Sequence, residues 1–208
     1  MSTTSVKGLS VETYDKMVAR GILPESNRFE LIEGRIVEKM TKKGPHCSSS
    51  ERSWRRIHAL LPTGWHVRIE KPVRVPGRES EPEPDSSVAQ GVPEDYEEMH
   101  PGPGEIALTV KISRTSVAKD RRLARVYAAG EVPFYWIIDV VHRRVEVFSG
   151  PDQGEYRSRV VLGEGDSIDL VIDGQVVGQI AVVELLPTKK RRRQTAVDGS
   201  SPGPTGGA

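Results

Sequence analysis

The stretch EIALTVKISRTS, Glu105–Ser116, decides the fold. Ile106, Leu108, Val110 and Ile112 alternate with Glu105, Ala107, Thr109, Lys111 and Ser113. That period of two is the pattern of a strand with one apolar face. Lys111 falls late in this strand, on the face opposite the apolar row, where a long cation needs a partner. A helix is expected next, from about Ser116 to Ala129, and then a buried strand, VPFYWIID, from Val132 to Asp139. Beyond it RRVEVFSG, YRSRVVLG, SIDLVIDG and QVVGQIAVVELL read as strands parted by glycine turns.

Upstream, LSVETYDKMVARG reads as a helix capped by Ser10 and ended by Gly21. RFELIEGRIVEKM reads as a hairpin turning at Glu33-Gly34. A second helix is expected from about Ser48 to Leu61, with Cys47, Trp54, Ile57 and Leu61 on its buried stripe. WHVRIEKPVRV reads as a strand broken at Pro72. The rigid acidic loop GRESEPEPDSSVAQG delivers Asp85 to the start of a short strand. The expected class is α/β: a mixed sheet flanked by helices, with a β-rich C-terminal extension.

The chain has 208 residues, 28% of them charged and 36% hydrophobic, which suits one globular domain with a real core. Its single cysteine, Cys47, excludes an internal disulfide and a thiolate zinc site. No signal-like apolar stretch opens the chain and no run approaches a membrane span, so a cytoplasmic protein is expected. Lys189, Lys190, Arg191, Arg192 and Arg193 against Asp198 make the tail 188–208 basic and leave the preceding body slightly acidic. Residues 1–8 and this tail are expected to be unstructured, with one domain over 9–187.

No Walker loop, dinucleotide fingerprint or nucleophile elbow is present. His46, His58, His66, His100 and His142 are scattered and read as surface or capping residues. The informative pattern is an ordered set: FELIEGRIVEKM, Pro45-His46, EPEPDSSVAQG, YAAGEVPFYWIID, VVHRRVEVFSG and IDGQVVGQIAVVELLP. In order and wording this set resembles the PD-(D/E)XK nuclease superfamily, in particular its Uma-two branch of restriction-endonuclease-like proteins, over about residues 9–187.

The resemblance implies a restriction-endonuclease-like core, a DNA substrate and Mg²⁺-dependent phosphodiester hydrolysis, with no membrane partner and a homodimer as one possible assembly. Hard cations need converging oxygen ligands, and a lysine then orients the attacking water or offsets developing charge. By the resemblance Asp85 is the Asp of the PD element and Glu30 the outlying acid of the first hairpin. Lys111 stands where the family has a strand glutamate. Leu123 stands where its helix carries a lysine, and Lys119, one turn earlier, is the nearest substitute. Glu70 or Glu83 is the candidate replacement ligand, which makes Asp85, Glu30 and Glu70 the expected metal set.

These departures imply a weakened or inactive nuclease, in which Lys111 takes the place of the metal and neutralises Asp85. The alternative is a non-catalytic module that keeps the fold and binds DNA or protein. On the residues alone, Asp85 is as readily a turn residue, Glu30 a solvated hairpin acid, Lys111 a snorkelling side chain and the basic run a solvated tail.

Overall fold

The computed structural model describes residues 8–23, 29–39 and 41–189. Most of the expected unstructured start and basic tail lies outside them. The elements are α1 (Val11–Ala19), β1 (Phe29–Ile32), β2 (Arg35–Glu38), α2 (Gly44–His58), β3 (Trp65–Ile69), β4 (Ser86–Gln90) and β5 (Ile106–Ser113). There follow α3 (Val117–Ala129), β6 (Phe134–Asp139), β7 (Arg144–Asp152), β8 (Glu155–Gly163), β9 (Ser167–Ile172), β10 (Gln175–Ala181) and α4 (Val182–Leu185).

Six strands form one mixed sheet in the order β3-β4-β5-β6-β7-β8. Among the described residues only β5 and β6 pair in parallel, and α3 is the crossover that a parallel pair requires. One face packs Leu108, Val110, Ile112, Trp136 and Ile138 against Ile57 of α2, the β9–β10 hairpin and α4. The other packs Tyr135, Ile137 and Phe148 against Leu123 and Tyr127 of α3. The C-terminal β extension is thus the β9–β10 hairpin. None of the described helices is long and apolar enough to cross a membrane.

The first hairpin turns at Glu33 (φ 47°) and Gly34 (φ 73°), the two left-handed positions of a tight primed turn. Leu9 donates to the Gly34 carbonyl, and Gly34 donates to the Glu79 carbonyl. The hairpin, and Glu30 with it, is thereby tied to the acidic segment that leads to Asp85.

Three local expectations are corrected. Ile106 does not share a face with Leu108, because a register shift between Val88 and Ala89 makes a bulge that puts Ala107 on the Leu108 side. β3 ends at Ile69 and does not resume as a strand: Glu70 adopts φ 50°, and Val73 and Val75 bond to the carbonyls of Pro82 and Ser80. α2 begins at Gly44, with Pro45 in its first turn, where proline loses no helical bond. Its buried stripe is Ser49, Ser53 and Ile57, and Cys47 is exposed.

α1 is held by a polar cluster with a pH signature. Arg74 Nη2 lies 3.1 Å from Asp15 Oδ2, and Arg74 Nε 3.7 Å from buried Glu81. Burial, then the charge and hydrogen bond of Asp15, push Glu81 up to about 8 from 4.5. The folded state therefore holds this proton more tightly than the unfolded chain. That stabilisation is complete below pH 4.5 and is lost as pH rises through about 8. His100, lowered to about 4 by burial and by Arg68, acts in the opposite direction below its ordinary 6.5. The Glu81 slope is therefore expected alone between pH 6.5 and 8, with stability falling by up to about 2 kcal/mol. Urea unfolding across that window should show this fall, and Glu81→Gln should flatten it. An unchanged slope in Glu81→Gln would assign it to other groups.

Candidate functional site beside Asp85

Asp85 immediately precedes β4, inside a buried run that extends over residues 80–89. Its N–H donates to the Val110 carbonyl (3.0 Å), and its carbonyl accepts from Glu70 (3.2 Å). Beyond this point β4 has no backbone to offer β5, and the Asp85 side chain takes over. Oδ2 accepts the Ile112 N–H at 2.7 Å. Oδ1 lies 3.2 Å from Lys42 Nζ and 3.1 Å from His46 Nε2. An ionised carboxylate only accepts, so Nε2 carries the proton in that contact.

Burial alone would raise the Asp85 pKa. The His46 hydrogen bond and the charges of Lys111, His46 and Lys42 outweigh it and hold this carboxyl well below its ordinary value. Lys42 responds in kind. Burial would lower it, but Asp85 and Glu70 raise it, so both partners stay charged. Lys42 and His46 bracket the N-terminus of α2, whose unpaired N–H groups add partial positive charge.

Lys111 does not contact the Asp85 carboxylate as an ion pair. Its Nζ donates to the Glu83 backbone carbonyl at 2.7 Å, and its charge reaches Asp85 through space. The expected substitute for the metal is therefore supplied by Lys42 and His46, with Lys111 behind them. Glu83 bonds Lys39 at 2.6 Å, yet burial wins and raises its pKa. Buried Glu30 accepts the Glu83 N–H at 3.2 Å, and Lys119 Nζ lies 3.9 Å from its other oxygen. Asp120 accepts from the Ser116 hydroxyl at 2.7 Å, and burial still raises its pKa.

These groups line one cavity of about 230 Å³. It gathers Glu30, Asp85, Lys111 and Lys119 from the expected site. Glu70 stands outside the lining, joined to it through Lys42 at 2.8 Å. Leu123 is buried in the core beneath α3, so position 123 does not face the cavity. Lys39, Lys42 and Asp120 have no role in the sequence reading, and His46 enters it only as a member of the Pro45-His46 pair. Their signal is the TKKGPH run, whose proline starts a helix, and the first turn of α3. His46 corrects the reading of the histidines as surface or capping residues. His142 fits it, since its N–H and ring nitrogen both bond Asp139.

The donor set does not fit a divalent metal. Glu30, Glu70 and Asp85 do not form one ligand shell, and among the described residues no group of three or more His, Cys, Asp or Glu is placed to hold an ion. Both Asp85 oxygens are engaged, one of them by an ammonium at 3.2 Å. A divalent ion ~4 Å from that ammonium meets a repulsion of about 8 kcal/mol at an effective dielectric of 20. The lining instead carries six cationic side chains against four carboxylates. Two helix N-termini, those of α2 and α3, open at it. This arrangement attracts an anion.

The family model described as "Putative restriction endonuclease", Uma2, matches residues 11–180. No curated protein sequence matches the chain. Among solved structures, one described as "a putative nuclease belonging to DUF820 from Anabaena variabilis" is similar in fold. Its TM-score is 0.68 at 19% identity, over 85% of this chain and 97% of that one.

Proposed function

The chain belongs to the Uma2 family, and from that membership we propose that its cavity binds the phosphodiester backbone of DNA without cutting it. The observation that carries this reading is the engagement of both Asp85 oxygens, one by Lys42 and His46 and the other by the Ile112 N–H. A nuclease of this type needs Asp85 free to hold Mg²⁺, and here an ammonium and two N–H donors stand in that place. Lys111, on the strand where the family resemblance calls for an acid, adds to the positive field.

The contacts to DNA fall to the cations at the mouth. Lys43 and Arg114 are exposed, and Lys119 is half exposed. None of the three is tied to Asp85. Each can meet a phosphate oxygen and release a condensed counterion. The helix N-termini at Lys43 and Ser116 add N–H donors with the same preference.

Two measurements test the reading. A fluorescein-labelled duplex should bind in EDTA, with affinity falling steeply as salt rises. Replacing Lys43, Arg114 and Lys119 together by glutamine should lower the log–log salt slope by about 3. Supercoiled plasmid should remain intact with Mg²⁺ or Mn²⁺. Metal-dependent nicking that Asp85→Ala abolishes would overturn the proposal and restore the nuclease reading.

A further inference from the structure

A second cationic site lies on the same sheet face. Glu146 of β7 is fully buried, and three arginines converge on it from three elements. Arg121 of α3 binds it through Nε and Nη2. Arg159 of β8 binds it through Nε (3.1 Å) and Nη2 (2.9 Å). Arg144 of β7 reaches it with Nη2 at 3.7 Å and gives Nε to buried Asp139 at 3.3 Å. His142 also bonds Asp139.

A buried carboxylate needs one good partner, and one bidentate arginine supplies it. Three arginines exceed that need. All three side chains remain 34–43% exposed. Each uses Nε and Nη2 inward, and among the described residues no hydrogen bond engages any Nη1. Three part-exposed guanidinium groups are therefore held in place with donors to spare. A fixed guanidinium loses little freedom on binding a phosphate, and its fork matches phosphate oxygens.

Register locates this cluster relative to the cavity. Lys111 pairs with Ile137, and Ile137 pairs with Glu146. Lys111 and Glu146 thus occupy one row across the sheet, two strands apart, or about 10 Å. The N-terminal half of α3 separates them, with Lys119 on the cavity flank and Arg121 on the arginine flank. On a duplex strand, about 10 Å of axis spans roughly three phosphates.

We propose that Arg121, Arg144 and Arg159, held by Glu146, form a second phosphate-contact site that extends the cavity's grip along the same DNA backbone. This rests on the DNA-binding reading above. It assigns a site to residues that the family resemblance leaves without a role.

Arg144→Gln and Arg159→Gln test it separately. Arg121 still holds Glu146 in both variants, and His142 still holds Asp139 in the first. Circular dichroism confirms folding, and anisotropy with the labelled duplex in EDTA reads binding across a salt series. Each variant should bind about 5–10-fold more weakly near 0.1 M salt and lose about 0.9 from the salt slope. Arg55→Gln removes the same charge from α2, on the other face of the sheet, where Arg55 lies beside Glu51 (4.0 Å), and should change neither. Wild-type affinity and slope in both test variants would overturn the site, as would an equal loss in Arg55→Gln. If the cavity variants alone lose affinity, the second site falls and the first stands. If the wild-type protein binds no duplex, both fall.

Discussion

Asp85→Ala is expected to lower the unfolding free energy by about 3–5 kcal/mol, the range for breaking a buried charge pair. The side chain is a structural junction. It replaces the missing β4 backbone for Ile112, and it is the counter-charge for Lys42 and the acceptor for His46. Alanine leaves a buried N–H without an acceptor and a half-buried ammonium with only Glu70. Asp85→Asn should recover part of the loss, because its amide oxygen can still accept from Ile112. Urea unfolding followed by tryptophan fluorescence measures all three proteins. A loss under about 1 kcal/mol in Asp85→Ala, the scale of an exposed ion pair, would show that Asp85 is not this junction.

The second large effect is expected from Lys111→Glu. In EDTA this change should destabilise the protein, since it sets a carboxylate against Asp85 and Glu83 and removes the donor to the Glu83 carbonyl. Mn²⁺ should return part of that loss. Exchanging an ammonium for a carboxylate ~4 Å from a divalent ion swings their interaction from about +8 to about −8 kcal/mol at an effective dielectric of 20. Even a quarter of that swing is about 1000-fold in affinity. Thermal unfolding should therefore rise with Mn²⁺ in Lys111→Glu and stay level in the wild-type protein. A rise of equal size in the wild-type protein would mean that Lys42 and Lys111 yield to metal and do not exclude it from Asp85.

Much of the site was legible in the chain. Alternation placed Lys111 on a central strand, and the Glu-Pro-Glu-Pro-Asp segment placed Asp85 beside it. Their meeting in one cavity follows from strand pairing. What escaped depends on turns and helix ends, which side-chain period does not encode. Lys42 and His46 reach Asp85 only because α2 starts four residues earlier than its apolar stripe suggests. The bulge at Ala107 was hidden because Ile106, Ala107 and Leu108 are all apolar, so either parity fits. Asp120 was hidden by its setting: an acid in the first turn of a helix normally faces water, and this one faces the cavity. The Glu146 cluster gave no signal because its arginines come from α3, β7 and β8 and meet only across the sheet.

The cavity draws Glu30 from a hairpin, Lys42 and His46 from a helix start, Asp85 from a loop and Lys111 from a strand interior. No fragment of the chain carries it. Removing or exchanging any one of these contributing segments breaks the pocket, whereas the β6–β7–β8 meander is built from neighbours in sequence. Such a site cannot be passed between proteins as a module. Its chemistry can change only by exchanging one residue on a retained framework, and Lys111→Glu on an intact strand would be an exchange of that kind.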